Sequence, residues 1–94
     1  MVKIHKEMDK ISISGHANYK DTDDIVCASI SSIMYTTVNA IMNLNKYAIT
    51  FVDDGKVCNI IIDKHDETTD ALIDNMILMF EEVSKQYPSN IEIK

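Results

Sequence analysis

The apolar residues of the segment 24–43 recur every three or four positions, which is the spacing of one face of an α-helix. Several of them are β-branched and lose rotamer freedom in a helix, so tertiary packing must hold this helix together. The helix therefore needs a broad apolar surface to cover. Its predicted buried face consists of Val26, Ile30, Ile33, Thr37, Val38, Ile41 and Leu44.

Segments of alternating polarity flank this helix and predict β-strands. Residues 2–7 and 10–15 alternate around a turn at Met8-Asp9 and predict a hairpin. Residues 47–53 and 56–63 predict a second hairpin around Asp54-Gly55, a dipeptide suited to a tight turn with positive φ. A short last strand is expected over residues 90–94.

A second helix is predicted from Asp66 or Glu67 to Gln86, with acidic residues in its first turn and Pro88 after its end. Its apolar stripe consists of Leu72, Ile73, Met76, Phe80, Val83 and Tyr87. The resulting order ββαββαβ predicts an α+β fold with two layers: a five-stranded, largely antiparallel sheet and two helices on one face. With 94 residues, the chain is expected to form a single domain, residues 1–94.

Charge and composition exclude several classes of function. The net charge is −6, and the nine basic residues are all lysines that form no basic stripe, so direct nucleic-acid binding is not expected. The lack of arginine and of a glycine-rich phosphate loop argues against a nucleotide enzyme, and no cofactor is implied.

The segment 1–6 lacks the apolar core of a secretory signal, and no apolar run is expected to approach the ~20 residues that span a bilayer. We therefore expect a cytoplasmic protein without a membrane partner. Two cysteines, Cys27 and Cys58, are too few for a disulfide scaffold, and a reducing compartment would keep both as thiols.

One imidazole and one thiol lie on either side of a polar connector, residues 18–23, which predicts a loop over a site. His16 ends the second strand, and Cys27 is expected in the first turn of the first helix. The unpaired N–H groups and the positive dipole end of a helix start stabilise a thiolate, and a nearby imidazolium adds to this effect. A nucleophilic Cys27 with His16 as its partner is one interpretation of these residues. The other is a small buried cysteine and a strand-end histidine that bonds to the backbone.

Two segments carry a family resemblance: Gly15-His16-Ala17, and Asp24-Ile25-Val26-Cys27-Ala28 followed by Ser31. In this order and at this separation they resemble the signature segments of the Prp family, the bacterial ribosomal-processing cysteine proteases. The resemblance implies hydrolysis of a peptide bond by a Cys27–His16 dyad, with helix-start N–H groups as the expected oxyanion donors. It also implies a homodimer whose partner is the N-terminal segment of a large-subunit ribosomal protein. Family members usually carry glycine where this chain has Thr22.

Four further residues of these segments are candidate supporting residues. Asp24 either caps the helix or orients His16, and both interpretations stay open. Ser31 lies one turn after Cys27, where its hydroxyl bonds either within the cleft or back to the carbonyl of Cys27. Gly15 and Ala28 are small, which would let a peptide or the helix approach the strand and leave space beside the sulfur.

Alternative functions for the same residues remain. Cys58 is expected in the core, and a metal site from His16, Cys27, Cys58 and His65 matches no zinc spacing. The chain could instead be a noncatalytic ribosome-associated module that binds a protein through the same cleft. A third alternative is a thiol acyltransferase that uses the same pair.

Overall fold

The computed structural model describes residues 1–15 and 21–94, and for residues 21–24 only the backbone. The elements follow the predicted order ββαββαβ. They are β1 (Val2–Lys6), β2 (Lys10–Ser14), α1 (Asp21–Leu44), β3 (Ile49–Asp53), β4 (Val57–Ile62), α2 (Glu67–Gln86) and β5 (Ile91–Ile93).

The strands form one five-stranded sheet in the order β3-β4-β2-β1-β5. All neighbouring pairs are antiparallel except β1 and β5, which are parallel, so the sheet is largely antiparallel as predicted. The register places Ile4 beside Ile13 and Ile11 beside Ile60. Because paired residues share a face, one face of the sheet is almost entirely apolar.

Both helices cover this apolar face, which confirms the predicted two-layer α+β architecture. The fully buried side chains come from both layers and include Ile4, Ile11, Ile60, Val26, Ile30, Ile41, Met76 and Phe80. One residue of the predicted buried face of α1 is exposed. Leu44 is 68% exposed at the end of α1, whereas Met34, which was not predicted, is buried.

Helix α1 begins at Asp21, three residues before the predicted start. Residues 21–23 were predicted to be loop, and Asp24 was a candidate cap of the helix; both predictions were wrong, because these residues lie inside the helix. Cys27 is consequently the seventh helical residue and lies in the second turn. An N–H at this depth bonds to the carbonyl four residues earlier, and the dipole effect fades within the first turn. Cys27 therefore lies beyond the N–H groups of the first turn, and the assignment of oxyanion donors stays a prediction.

The segment Ile25–Leu44 is long and apolar enough to cross a membrane by length and composition alone. This finding corrects the expectation that no apolar run approaches that length. The core helix of a globular domain passes the same test, and α1 buries Val26, Ile30, Met34 and Ile41 against the sheet.

The second half of the chain follows its predicted boundaries closely. Asp66 caps α2 and accepts a hydrogen bond from the N–H of Thr69 at 2.7 Å, and α2 ends at Gln86. Gly55 has a φ of +88°, which confirms the turn with positive φ. The carboxylate of Asp54 accepts the N–H groups of Val57 and Lys56 at 2.8 Å, and these bonds lower the pKa of Asp54.

Candidate active site

A cleft of about 210 Å³ opens beside the second turn of α1. Four strands meet α1 there: β1 at its start, β2 at its end, and β3 and β4 at the turn that joins them. The residues that line it are Val2, Ile13, Gly15, Cys27, Ile30, Ser31, Met34, Tyr35, Asp53, Gly55, Lys56 and Cys58. Its apolar part belongs to the core, and its polar residues come from α1 and the β3–β4 turn.

The predicted nucleophile lies in this cleft. Cys27 is half-buried, and the buried side chains of Ile30 and Met34 continue the same lining along α1. A thiol in this position is accessible to a ligand while it remains packed on one side. The structure thus offers a sulfur atom to any molecule that occupies the cleft.

Ser31 lies one turn after Cys27 and lines the same cleft. Within the part of the chain that the structure describes, its hydroxyl makes no hydrogen bond, and the alternative bond to the carbonyl of Cys27 is not formed. Such a back-bond occurs instead at Ser29, which donates to the carbonyl of Ile25 at 2.9 Å. None of the described residues therefore occupies the hydroxyl of Ser31 within the cleft.

Gly15 also lines the cleft, at the end of β2, and has a φ of +96°. A Cβ atom at this position would collide with the carbonyl oxygen of Met1. Glycine is thus required for the close approach of the β1 start and for the backbone conformation. Gly15 was predicted to let a peptide or the helix approach the strand, but the close contact in the structure is with the backbone of Met1.

The other three predicted site residues, His16, Asp24 and Ala28, differ in how far the structure describes them. His16 lies outside the described residues, although its neighbour Gly15 shares the cleft with Cys27. Asp24 is described only by its backbone in α1, so whether it orients His16 stays a prediction. Ala28 is exposed on α1, directly after Cys27.

The wall from β3 carries a carboxylate that sequence reasoning missed. Asp53 accepts a hydrogen bond from the hydroxyl of Tyr35 at 3.1 Å and another from the N–H of Gly55 at 2.9 Å. The ring of Tyr35 packs edge-on against Phe51, with centroids 5.7 Å apart. The hydrogen bond to Asp53 raises the pKa of Tyr35, so the phenol stays a donor at neutral pH.

Cys58 is the second thiol of the cleft. It packs against the core, as predicted, yet it also lines the same cavity as Cys27. The strand register places it beside Ile13 on one side and Asp53 on the other. Burial and then the nearby carboxylate of Asp53 raise the pKa of the Cys58 thiol, which keeps it protonated at neutral pH.

His65 lies at the other end of the sheet, beside the β1–β2 turn. Its Nε2 atom lies 2.6 Å from Asp9, and its Nδ1 atom lies 2.8 Å from Asp70. These hydrogen bonds, the one to Asp9 first, raise the pKa of His65. His65 is thus remote from Cys27 and Cys58, and the described residues contain no group of three or more His, Cys, Asp or Glu side chains arranged to hold a metal ion.

The comparison with protein families decides the classification of the chain. The family model for cysteine protease Prp matches residues 1–92. This chain belongs to the Prp family. Membership in a family of cysteine proteases agrees with a half-buried cysteine in a cleft.

Curated and solved Prp relatives align along most of the chain. A ribosomal processing cysteine protease Prp of Staphylococcus aureus is 26% identical over 87 residues, which are 88% of this chain and 82% of that protein. The crystal structure of an essential ribosomal processing protease Prp from S. aureus with a substrate peptide has a TM-score of 0.83 at 24% identity. A second one, with a covalently linked product peptide, has a TM-score of 0.81 at 25% identity. Each alignment covers 99% of this chain and 95% of the other.

Proposed function

We propose that this protein is a cysteine endopeptidase that removes a short N-terminal extension from a large-subunit ribosomal protein. The observation that carries the proposal is the cleft position of Cys27 in a chain that matches the Prp family over residues 1–92. The S. aureus relative crystallised with a substrate peptide and with a covalently linked product peptide supports it.

The proposed reaction passes through an acyl-enzyme. The thiolate of Cys27 attacks the scissile carbonyl carbon, and the peptide C–N bond breaks as His16 gives a proton to the leaving amine. His16 then takes a proton from water, which attacks the thioester. The C–S bond breaks, the N-terminal fragment leaves as a carboxylic acid, and Cys27 is restored. No cofactor takes part.

Neighbouring residues have supporting roles in this proposal. The hydroxyl of Ser31 donates a hydrogen bond within the cleft, and the small side chain of Ala28 leaves space for the peptide beside the sulfur. Asp24 orients His16 or stabilises its imidazolium form. We further infer a cytoplasmic homodimer that recognises its substrate as a protein and not through nucleic acid, in agreement with a net charge of −6.

A cleavage assay tests the proposal. The protein is incubated with a panel of N-terminally extended peptides from large-subunit ribosomal proteins, and the products are identified by mass spectrometry. We expect one peptide bond to be cut, and Cys27→Ala to lower the rate by at least ~10³-fold, because the nucleophile is lost. Cys58→Ala is the matched control, and it should retain cleavage because that thiol stays protonated.

Other outcomes identify the alternative functions. Binding of the peptides without cleavage would indicate the noncatalytic module. Transfer of the acyl group to an added amine, with little hydrolysis, would indicate an acyltransferase. Cleavage that survives Cys27→Ala would contradict the proposal.

A further inference from the structure

The carboxylate of Asp53 lies in the same cleft as the nucleophile and has no basic partner among residues 1–15 and 25–94. Its hydrogen-bond donors among the described residues, the Tyr35 hydroxyl, the Gly55 N–H and the neighbouring Cys58 thiol, are all neutral. Among residues 1–15 and 25–94, no ion pair of Asp53 is formed, although Lys56 lines the same cleft. The negative charge at this wall is therefore available to a ligand.

The two hydrogen bonds also hold the carboxylate in place before any ligand arrives. Oδ2 is bonded to Tyr35, whose ring rests against Phe51, and Oδ1 is bonded to the backbone of the β3–β4 turn. A carboxylate has about four acceptor positions, so the bonds to Tyr35, Gly55 and Cys58 leave capacity for a further donor. A fixed acceptor loses little entropy on binding, and a charged donor forms a stronger bond than a neutral one.

We propose that Asp53 is a specificity-determining residue that binds a basic side chain, lysine or arginine, of the peptide in the Cys27 cleft. The inference rests on the proposed function. Proteins that bind ribosomal RNA contact its phosphates through lysine and arginine, so a ribosomal substrate is a protein rich in such side chains. Among the described residues, no hydrogen bond or ion pair holds the side chain of Lys56 in place, whereas two hydrogen bonds of its carboxylate hold Asp53. We therefore assign the preference for a basic side chain to the fixed charge of Asp53.

A purely structural role for Asp53 makes a different prediction. In that case the carboxylate would only tie the β3–β4 turn to α1, and its removal would weaken the binding of every peptide equally. A role in specificity requires that the loss depend on the charge of the peptide. The experiment therefore compares peptides as well as protein variants.

Peptide binding to the Cys27→Ala protein, which does not turn over its substrate, measures this dependence. The probes are fluorescent, N-acetylated peptides from an N-terminally extended ribosomal protein, with one lysine at successive positions. Each is paired with a peptide that carries norleucine, an uncharged side chain of similar length, at that position. A further arm with a free N-terminus tests whether the α-amino group is the bound cation. Dissociation constants are obtained from fluorescence anisotropy.

At one position, we expect replacement of lysine by norleucine to weaken binding about three- to tenfold, the effect of a partly exposed charge-assisted bond. Adding Asp53→Asn should reduce that difference to less than about twofold, because the amide keeps the turn but loses the charge. Asp53→Glu should restore part of it. Circular dichroism melts confirm that each variant is folded.

Four results would overturn the inference. The lysine preference could be the same with Asp53→Asn, which would leave Asp53 a structural residue. A second such result is an affinity that changes only when the peptide has a free N-terminus, because the α-amino group would then be the bound cation. If no variant binds any peptide, the proposed function fails and this inference fails with it. If peptides bind without a preference for lysine, the inference alone is refuted.

Discussion

At the scale of single residues, the two thiols of the cleft are chemically distinct. Burial and Asp53 raise the pKa of Cys58, so its reactive thiolate is scarce near neutral pH. We expect iodoacetamide at pH 7 to modify Cys27 at least about tenfold faster than Cys58, because alkylation requires the thiolate. Peptide mapping by mass spectrometry measures both rates in one sample. Equal, slow rates would favour the noncatalytic module.

His65 is the residue whose ionisation should affect stability. Its hydrogen bonds to Asp9 and Asp70 raise its pKa in the folded protein above the unfolded value. The stabilisation is therefore complete below about pH 6.5, the ordinary histidine value, and is lost as the pH rises through the higher folded pKa.

Urea unfolding at a series of pH values tests this behaviour. The midpoint for His65→Gln should depend less on pH between about 6 and 9 than that of the unaltered protein, since the substitution removes the titrating group. His5→Gln, at an exposed histidine on β1, is the matched control and should keep the original dependence. An unchanged pH profile with His65→Gln would contradict the assignment.

At the scale of elements, the glycine at the end of β2 connects the sheet to the site. Gly15→Ala should lower the free energy of unfolding by about 2–4 kcal/mol, because the positive φ and the contact with Met1 are both strained. Gly55→Ala is the control, since its φ is also positive but no atom lies within 4 Å of the added Cβ. It should cost only about 1–2 kcal/mol. Equal losses in urea unfolding would show that the Met1 contact is unimportant.

The helix boundaries differ in how well the sequence could predict them. Asp66 is an isolated cap before a clear apolar stripe, and the start of α2 was predicted correctly. The start of α1 was not, because Asp21, Asp23 and Asp24 suit the first turn of a helix as well as its cap, and local preference cannot choose between the two. The exposed Leu44 has a similar cause, since a straight stripe drifts around a helix of 24 residues.

At the scale of the whole molecule, periodicity was sufficient for the element order and for the α+β fold. The contents of the cleft were harder to predict, because they depend on which strands pair. Cys58 meets Ile13 across 45 positions of sequence, and Asp53 meets Tyr35 across 18. His65 bonds to Asp9 at a separation of 56 residues. No local pattern contains such contacts, so the contacts of Asp53, Tyr35 and His65 emerged only from the structure.

The central claim is that Cys27 forms a covalent acyl-enzyme with the N-terminal part of a peptide in this cleft. Rapid acid quenching during cleavage, followed by intact-mass measurement and peptide mapping, tests it most directly. The account predicts a protein adduct with the mass of the N-terminal fragment less one water, located at Cys27, labile to hydroxylamine and absent from Cys27→Ala. An adduct at Cys58, or cleavage by Cys27→Ala at the original rate, would contradict it.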